Sequence, residues 1–465
     1  MGVRARSRGA GRRRMPRWAA GGWRWAAPVA VVAVLGFGTD AARSSPTMRR
    51  APALRTGVPQ RWQPPFAITP PAARRLAGLR LALASGGQAI AYASVAYNDP
   101  ADSRALVFAG PAGGRIGLPR AIAGVARVLA LAFIGRTLAL LVGQSPRALR
   151  CCSTVAVLLR RGGRVVYRQV LLRHLAGPAL GALIGTRRGL LAAVASAEGV
   201  WDDQITAQGR PGPARRLLGR PLVAGALAGV ALGARATELA FSAASSPFSS
   251  PDEIFTARGS AARPPLSPRL TVSAPSGYEI DELALAGGRR SGLLAWTQSW
   301  IDASGSYRSQ VYARELGVRL PAQAISPAGA LASGLSLAEN AAGSAVIAYR
   351  ACTRAGACEL QAALRPDGSG RFAAVRTLGA IDPTQTPATA VSRRGQALVG
   401  FISGGRAFVA AAAPGARSFA RARRLSRAAD ASQLAVAFTA SGDSALAIWT
   451  EGVERQRLAG ARLVG

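Results

Sequence analysis

Short apolar runs of four to seven residues, each bounded by Gly, Pro, Ser or Asp, recur along most of the chain. One kind begins at or near a glycine and usually ends on an aromatic. It reads GQAIAY at 87–92, GRTLALL at 135–141, GLLAAV at 189–194 and ATELAF at 236–241. It continues as GLLAW at 292–296, GSAVIAY at 343–349, GQALVGF at 395–401 and GDSALAIW at 442–449. The ends of these runs are about 51 residues apart on average. A short run precedes each glycine, as in LRLALAS, ASGLSLAEN and LAVAFTAS. A polar loop, a second apolar run, a glycine-rich turn and a further segment follow, most clearly at 359–379 and 407–426. Runs this short, broken this often by turn residues, predict strands and leave no room for long helices.

One unit is therefore four short strands, apolar on both faces. Such a sheet cannot bury itself, but neighbours stacked around an axis can bury it, which is the logic of a β-propeller. The small residues of each first strand suit a crowded inner position. The aromatics that end each second strand suit the gap between adjacent sheets. The eighth unit stops after its third strand, at 458–464, whereas RWQPPFAIT at 61–69 looks like a fourth-strand segment such as GRFAAVRTL. An N-terminal strand completing the last sheet would close the ring. The prediction is an all-β propeller of eight four-stranded blades, or seven if the weak units at 174–219 and 220–273 are misread.

These units resemble those of bacterial exported β-propeller repeat proteins and, distantly, sialidase-like propellers, over roughly residues 60–465. The Asp-box of the latter, S-x-D-x-G-x-T-W, is not matched; DGSG at 367–370 and SGD at 441–443 are fragments of such a turn. The resemblance implies a fold and no particular activity.

Residues 1–42 read as a signal peptide or N-terminal anchor. Eight arginines lie within residues 1–25, the apolar stretch AAPVAVVAVLGF follows at 26–37, and small residues at 39–42 offer a cleavage site. The apolar core is short for a spanning helix, which needs about 20 residues. Residues 43–59 read as a linker and 60–465 as the propeller. The four cysteines fit an oxidising compartment. Cys352 and Cys358 flank TRAGA between two apolar runs, where a hairpin disulfide is geometrically sensible. Cys151 and Cys152 are adjacent, as a strained vicinal bridge or as free or alternately paired thiols. The spacing of a zinc site is absent, and neither metal nor cofactor is expected. The single histidine, His174, reads as structural.

The chain carries 59 Lys+Arg against 22 acids, a formal charge of +37, and every one of those cations is arginine. The arginines are spread along the chain, with no long basic run outside the N-terminus. Nor are aromatics arranged to stack bases. Specific nucleic-acid binding is accordingly not expected; diffuse attraction to anionic envelope polymers or lipid headgroups is.

Candidate chemistry lies in the loops between second and third strands, which share one face of a propeller. They are placed at 93–104, 142–153, 195–203, 242–253, 297–309, 350–358, 402–405 and 450–455. They hold Asp99, Asp102, Glu198, Asp202, Asp203, Asp252, Glu253, Asp302, Glu451 and Glu454, with Tyr97, Trp201, Phe248, Trp300 and Tyr307. Turn chemistry is one account of these acids. A ligand face is the other, in which aromatics beside carboxylates hold a sugar or peptide. The ligand residues are then Tyr97, Asp99, Trp201, Asp202, Asp203, Trp300, Asp302 and Tyr307, and no catalytic residue is assigned. The reading is a secreted or cell-surface monomer that binds a polysaccharide, peptide or envelope polymer, touching the membrane only through an uncleaved N-terminal segment. The alternative is a glycan-processing hydrolase, which needs two carboxylates about 5–10 Å apart across a cleft.

Overall fold

The computed structural model describes residues 61–464, except 85–86, 96–102, 112–115, 123–124, 126, 145–151, 162–163, 177–178, 187–188, 197, 207–211, 213, 219–223, 233–235, 247–249, 261–266, 289–290 and 367–369. The proposed signal and linker, Tyr97, Asp99, Asp102, Cys151 and Phe248 lie outside the described residues. The described strands form eight antiparallel sheets; seven run in chain order from first strand to last, and the eighth has the start of the described chain at its outer edge. The first strands of successive sheets are neighbours, so each sheet is a blade radiating from a common axis. Numbered from the N-terminus, blade 5 comprises Tyr278–Gly287, Gly292–Ile301, Tyr307–Glu315 and Gln323–Ala324. Blade 6 comprises Leu331–Glu339, Ala345–Cys352, Cys358–Arg365 and Arg376–Ala380. The weak units at 174–219 and 220–273 are blades 3 and 4, so the ring has eight blades.

The hydrophobic residues fall into eight clusters, and each fills the gap between one pair of neighbouring blades. A sheet with two apolar faces thus contributes to two cores and has none of its own. The aromatics ending the second strands sit in these gaps. Phe241, Tyr349 and Trp449 are fully buried. Three others of this kind stack on the third strand of their own blade: Tyr92 on Phe108, Trp296 on Tyr312 and Phe401 on Phe408, with centroids 5.8, 5.5 and 5.4 Å apart. Near the axis there is no room for bulk. A Cβ on Gly185, in the first strand of blade 3, would lie 2.6 Å from the Phe133 carbonyl oxygen of blade 2.

The last blade is completed by the start of the described chain. Arg61–Trp62 and Phe66–Ala67 both pair with Arg457–Val464, in the register Trp62 to Leu463 and Phe66 to Gly460. Trp62 is buried in the core between blades 7 and 8, while Phe66 and Ile68 pack into the core between blades 8 and 1. The closing segment therefore fastens two gaps, as the unpaired eighth unit of the sequence requires. The Cys352–Cys358 disulfide is formed, and the two cysteines are a directly opposed cross-strand pair.

Candidate functional site

Within a blade the chain enters the first strand on one face of the ring, here called the upper face, and crosses to the lower. Second-to-third-strand hairpins therefore share the upper face with the entries into the first strands. The entries carry a recurrent irregularity. In six blades the pairing of first and second strands slips near the upper end, leaving extra residues at a β-bulge. The bulged residues are Gly78-Leu79, Leu129, Gly225, Asp281, Gly334-Leu335 and Gln433. A bulge frees backbone groups from the ladder and re-aims a side chain.

At three of these bulges freed N–H groups are taken up by a side chain of the preceding blade. Glu282 of blade 5 accepts from the N–H of Gly334 at 2.9 Å and of Leu335 at 2.7 Å. Gln385 accepts from the N–H of Gln433, and Gln433 in turn accepts from the N–H of Leu79 at 3.2 Å. Glu282 is thus one member of a set of clamps around the axis, and both its oxygens are used. Asp281 is different. It fills the bulge with a carboxylate where the other five blades have Gly, Leu or Gln.

Asp281 opens onto a cavity of about 390 Å³ between blades 5 and 6 on the upper face. The wall is built from Asp281, Glu282, Thr297, Tyr307 and Ser309 of blade 5 and from Leu331, Ala332, Ser333 and Cys352 of blade 6. Strand alternation explains the blade 5 side: Thr297, Tyr307 and Ser309 all project toward blade 6. The Tyr307 hydroxyl donates to Asp281 Oδ2 at 3.1 Å. Partial desolvation against the wall raises the Asp281 carboxyl, and Glu282 and Glu279 raise it further, while hydroxyls of Ser299 and Tyr307 oppose them. Desolvation and the Asp281 charge push the Tyr307 phenol up to about 12. Ser309 Oγ is engaged with the Ala332 backbone, and Ser333 Oγ accepts from Arg350 Nη2 at 2.8 Å. Thr297 is 1% exposed, and its Oγ1 has no hydrogen-bond partner. The disulfide braces the blade 6 hairpin at the cavity rim through Cys352.

At the lower ends of the same two blades lies a second cluster. Arg365 is 4% exposed and reaches both Glu339, which is buried, and Glu315, whose Oε2 is 3.3 Å away. Burial raises the Glu339 carboxyl, against the attraction of Arg365. Ser291 Oγ donates to Glu315 at 2.6 Å and Arg365 Nε donates to the Gly343 carbonyl at 3.0 Å. Both carboxylates share the one guanidinium, which ties blade 5 to blade 6.

The residues singled out in the sequence are dispersed. Tyr307 lines the cavity. Asp302 is in the adjoining hairpin, but its carboxylate turns inward to accept from Ser304, from the Ser306 N–H at 2.9 Å and from Arg308 Nε at 2.8 Å. These donors, the Ser304 hydroxyl first, hold its pKa far below the usual carboxylate range. Trp300 projects from the opposite face of the sheet, toward blade 4, and stacks on Tyr278 at 5.1 Å. Trp201, Asp202 and Asp203 are two blades away and not in a loop: the hairpin is tight and they belong to the strand Gly199–Thr206. Asp202, 1% exposed, pairs with Arg215 at 2.9 Å on the adjacent strand. Asp203, 2% exposed, accepts from Gln169 Nε2 of blade 2 at 3.0 Å. The sequence offered a signal for the site in YEIDE at 278–282, three acids within four residues. That run lies at a strand entry, so attention confined to hairpins passes over it. Among the described residues, no three His, Cys, Asp or Glu side chains are grouped as a metal ion would require.

No family model and no curated protein matches the chain. Solved structures do. A prolyl endopeptidase is 19% identical with a TM-score of 0.40, over 67% of this chain and 44% of its own, so the propeller spans less than half of that enzyme. An α-L-arabinanase from Penicillium chrysogenum, determined with arabinobiose, is 8% identical over 86% of this chain and 98% of its own, with a TM-score of 0.44. A Hadza microbial sialidase is 12% identical over 76% and 79%, with a TM-score of 0.35. Likenesses at this level carry no functional argument.

Proposed function

We propose that the protein is an exported binding module of the cell envelope that holds part of its ligand in the cavity between blades 5 and 6. The observation that carries this reading is Asp281: a carboxylate at a bulge that elsewhere in the ring holds Gly, Leu or Gln, aimed into a cavity beside Tyr307. Export is supported by the N-terminal segment and by the disulfide, since such bonds persist in oxidising compartments. The arginine-rich body adds long-range attraction to anionic polymers, screened beyond about 10 Å at 0.1 M salt. A two-carboxylate glycan hydrolase is less well supported. Of the two carboxylates lining the cavity, Glu282 already spends both oxygens on the bulge of blade 6.

The test is fractionation of cells that produce the tagged protein. Wild type is expected in the envelope fraction, eluting at moderate salt, with Asp281→Asn and Tyr307→Phe released at lower salt. Recovery from the cytoplasm, or identical elution of all three proteins, overturns the reading.

A further inference from the structure

The hydrogen-bonding inventory of this cavity is lopsided. Glu282 and Ser309 are engaged with backbone. Arg350 is turned away from the open space, donating to Ser333 Oγ and to the Gln385 carbonyl at 3.0 Å. The Tyr307 proton is committed to Asp281. What remains is the Asp281 carboxylate and the Tyr307 oxygen as acceptors, the Ser333 hydroxyl, whose oxygen is taken by Arg350 Nε and Nη2, and the Thr297 hydroxyl, which has no partner. The charge has the same sign. Arg308 is paired with Asp302 and Arg350 faces Glu282, which leaves Glu279 and Asp281 against Arg354, whose guanidinium donates to Ser306 Oγ at 2.5 Å. A buried hydroxyl with no partner costs the fold the desolvation of that group, and a native protein keeps such a group where something else satisfies it. Thr297 is such a group, and its residue lines the cavity, with Oγ1 buried just behind the wall.

A cavity whose open acceptor is the Asp281 carboxylate, with the Tyr307 oxygen beside it and an excess of negative charge, complements a group that donates and is positively charged. A primary ammonium has three N–H donors and no acceptor. We infer that the cavity takes a primary ammonium group of the ligand, with Asp281 as counter-ion, Tyr307 and Thr297 as the further acceptors, and Leu331 with Ala332 against its alkyl carbons. This rests on the binding reading above and names its ligand chemistry. A basic body and an acidic cavity then act in sequence. The body is drawn to a polyanion, and the cavity selects an amine borne on it.

Calorimetric titration of the purified protein tests this with four probes: D-glucosamine, N-acetyl-D-glucosamine, a short lysine peptide, and the same peptide acetylated on its amines. Binding of at least one free amine is expected, with its acetylated counterpart about tenfold weaker or worse, since the change removes a charge-assisted hydrogen bond. Which free amine binds separates a sugar from a peptide source. Asp281→Asn should weaken the amine by about tenfold or more. Thr297→Val should weaken it by about three- to tenfold with an unchanged or raised melting temperature, because the hydroxyl has no partner in the free protein. Equal binding of acetylated and free forms, or full affinity in Asp281→Asn, overturns the ammonium assignment and leaves the cavity as a binding site. Silence from all four probes at about 10 mM, near the weak end of specific recognition, overturns both. A lowered melting temperature in Thr297→Val shows a structural hydroxyl and removes it from the site.

Discussion

Blades 5 and 6 carry an acidic cluster at each end of their shared gap, and the two ends are built on different terms. At the lower end two glutamates converge on one buried arginine, with serine and backbone groups joining the network and Glu339 Oε2 left without a hydrogen-bond partner. At the upper end Glu279, Asp281 and Glu282 follow one another along a single strand entry, and one of the three is locked to the next blade while Asp281 faces open space. The residue types are the same. What differs is where the counter-charge sits: both lower carboxylates touch Arg365, whereas Asp281 is met by hydroxyls and, among the described residues, by no cation. A compensated cluster reads as a fastener between blades. An uncompensated one, beside a buried hydroxyl that nothing satisfies, reads as a place where something else completes the chemistry.

The sharpest way to break this comparison is to remove the lower counter-charge. Arg365→Met takes from the buried Glu339 its cation and leaves it the Gly288 backbone N–H. Loss of one member of a buried pair costs about 3–5 kcal/mol, because the remaining charge stays desolvated. Chemical denaturation should show a loss of that order, with ammonium binding at the upper end of the surviving folded protein unchanged. A loss below about 1 kcal/mol would mean that the lower cluster is not a fastener.

At the upper end, Glu282 is the structural member. Glu282→Ala leaves the N–H groups of Gly334 and Leu335 without their acceptor, at about 1–3 kcal/mol for each group that water cannot reach. Glu282→Gln keeps an acceptor oxygen and should recover much of that stability. If Glu282→Gln binds the amine nearly as well as wild type while Asp281→Asn does not, two adjacent carboxylates have been separated into a clamp and a ligand group.

Blade 3 supplies a third case, a buried acid held by the Gln169 amide and by backbone N–H groups, with no cation against it among the described residues. Burial, then the neighbouring Asp202 charge, pushes Asp203 up to about 6 against donation from Gln169. The folded carboxyl then keeps its proton to a higher pH than the unfolded one, so folding takes up a proton between about pH 4 and 6. Stability therefore falls as pH rises through that window and stays lower above it. Asp203→Asn should remove this slope and raise stability at pH 7 by about 1–3 kcal/mol, with no gain at pH 4. Unfolding curves across that range decide it. A loss of stability at pH 7 would show that the carboxylate is needed in its charged form.

These cases show which levels of the molecule could be read from residues alone. The repeat was legible because every blade needs the same thing at the same place. An aromatic such as Tyr349 or Trp449 fills each gap, and a turn resets the chain about every twelve residues. The closing strand was legible because an eighth unit lacked its fourth strand, and the disulfide because Cys352 and Cys358 flank one hairpin. The site was not. Its key feature is a one-residue slip in register, and the apolar alternation on either side of Ile280 and Glu282 gives no sign of it. In blade 3 the same blindness acted in reverse. Glu198, Asp202 and Asp203 look like turn formers in a row, yet Gly199 starts a strand at once and Arg215 waits opposite Asp202 to neutralise it. Partners that come from another strand or blade are what turn an acid into a fastener, and they are invisible until the chain is folded.

Asp302 gives the smallest expected effect and the cleanest control. It neighbours the cavity in sequence, five residues before Tyr307, and carries a full negative charge close to where an ammonium would enter. Both its oxygens are nevertheless consumed by its own hairpin, through Ser304, Ser306 and Arg308. Its depressed pKa means that this contribution is present at neutral pH and is lost as pH falls below the ordinary carboxylate range toward the folded value. Asp302→Ala should therefore loosen the hairpin, seen as faster amide exchange at Ser304 and Ser306. It should change amine affinity by less than about twofold, since screening by water weakens a charge that touches nothing in the cavity. If Asp302→Ala instead matched Asp281→Asn in lost affinity, the ligand would be held by the summed field of the upper face rather than by one carboxylate at a bulge. The contrast between the two ends of blades 5 and 6 would then be one of net charge and not of geometry.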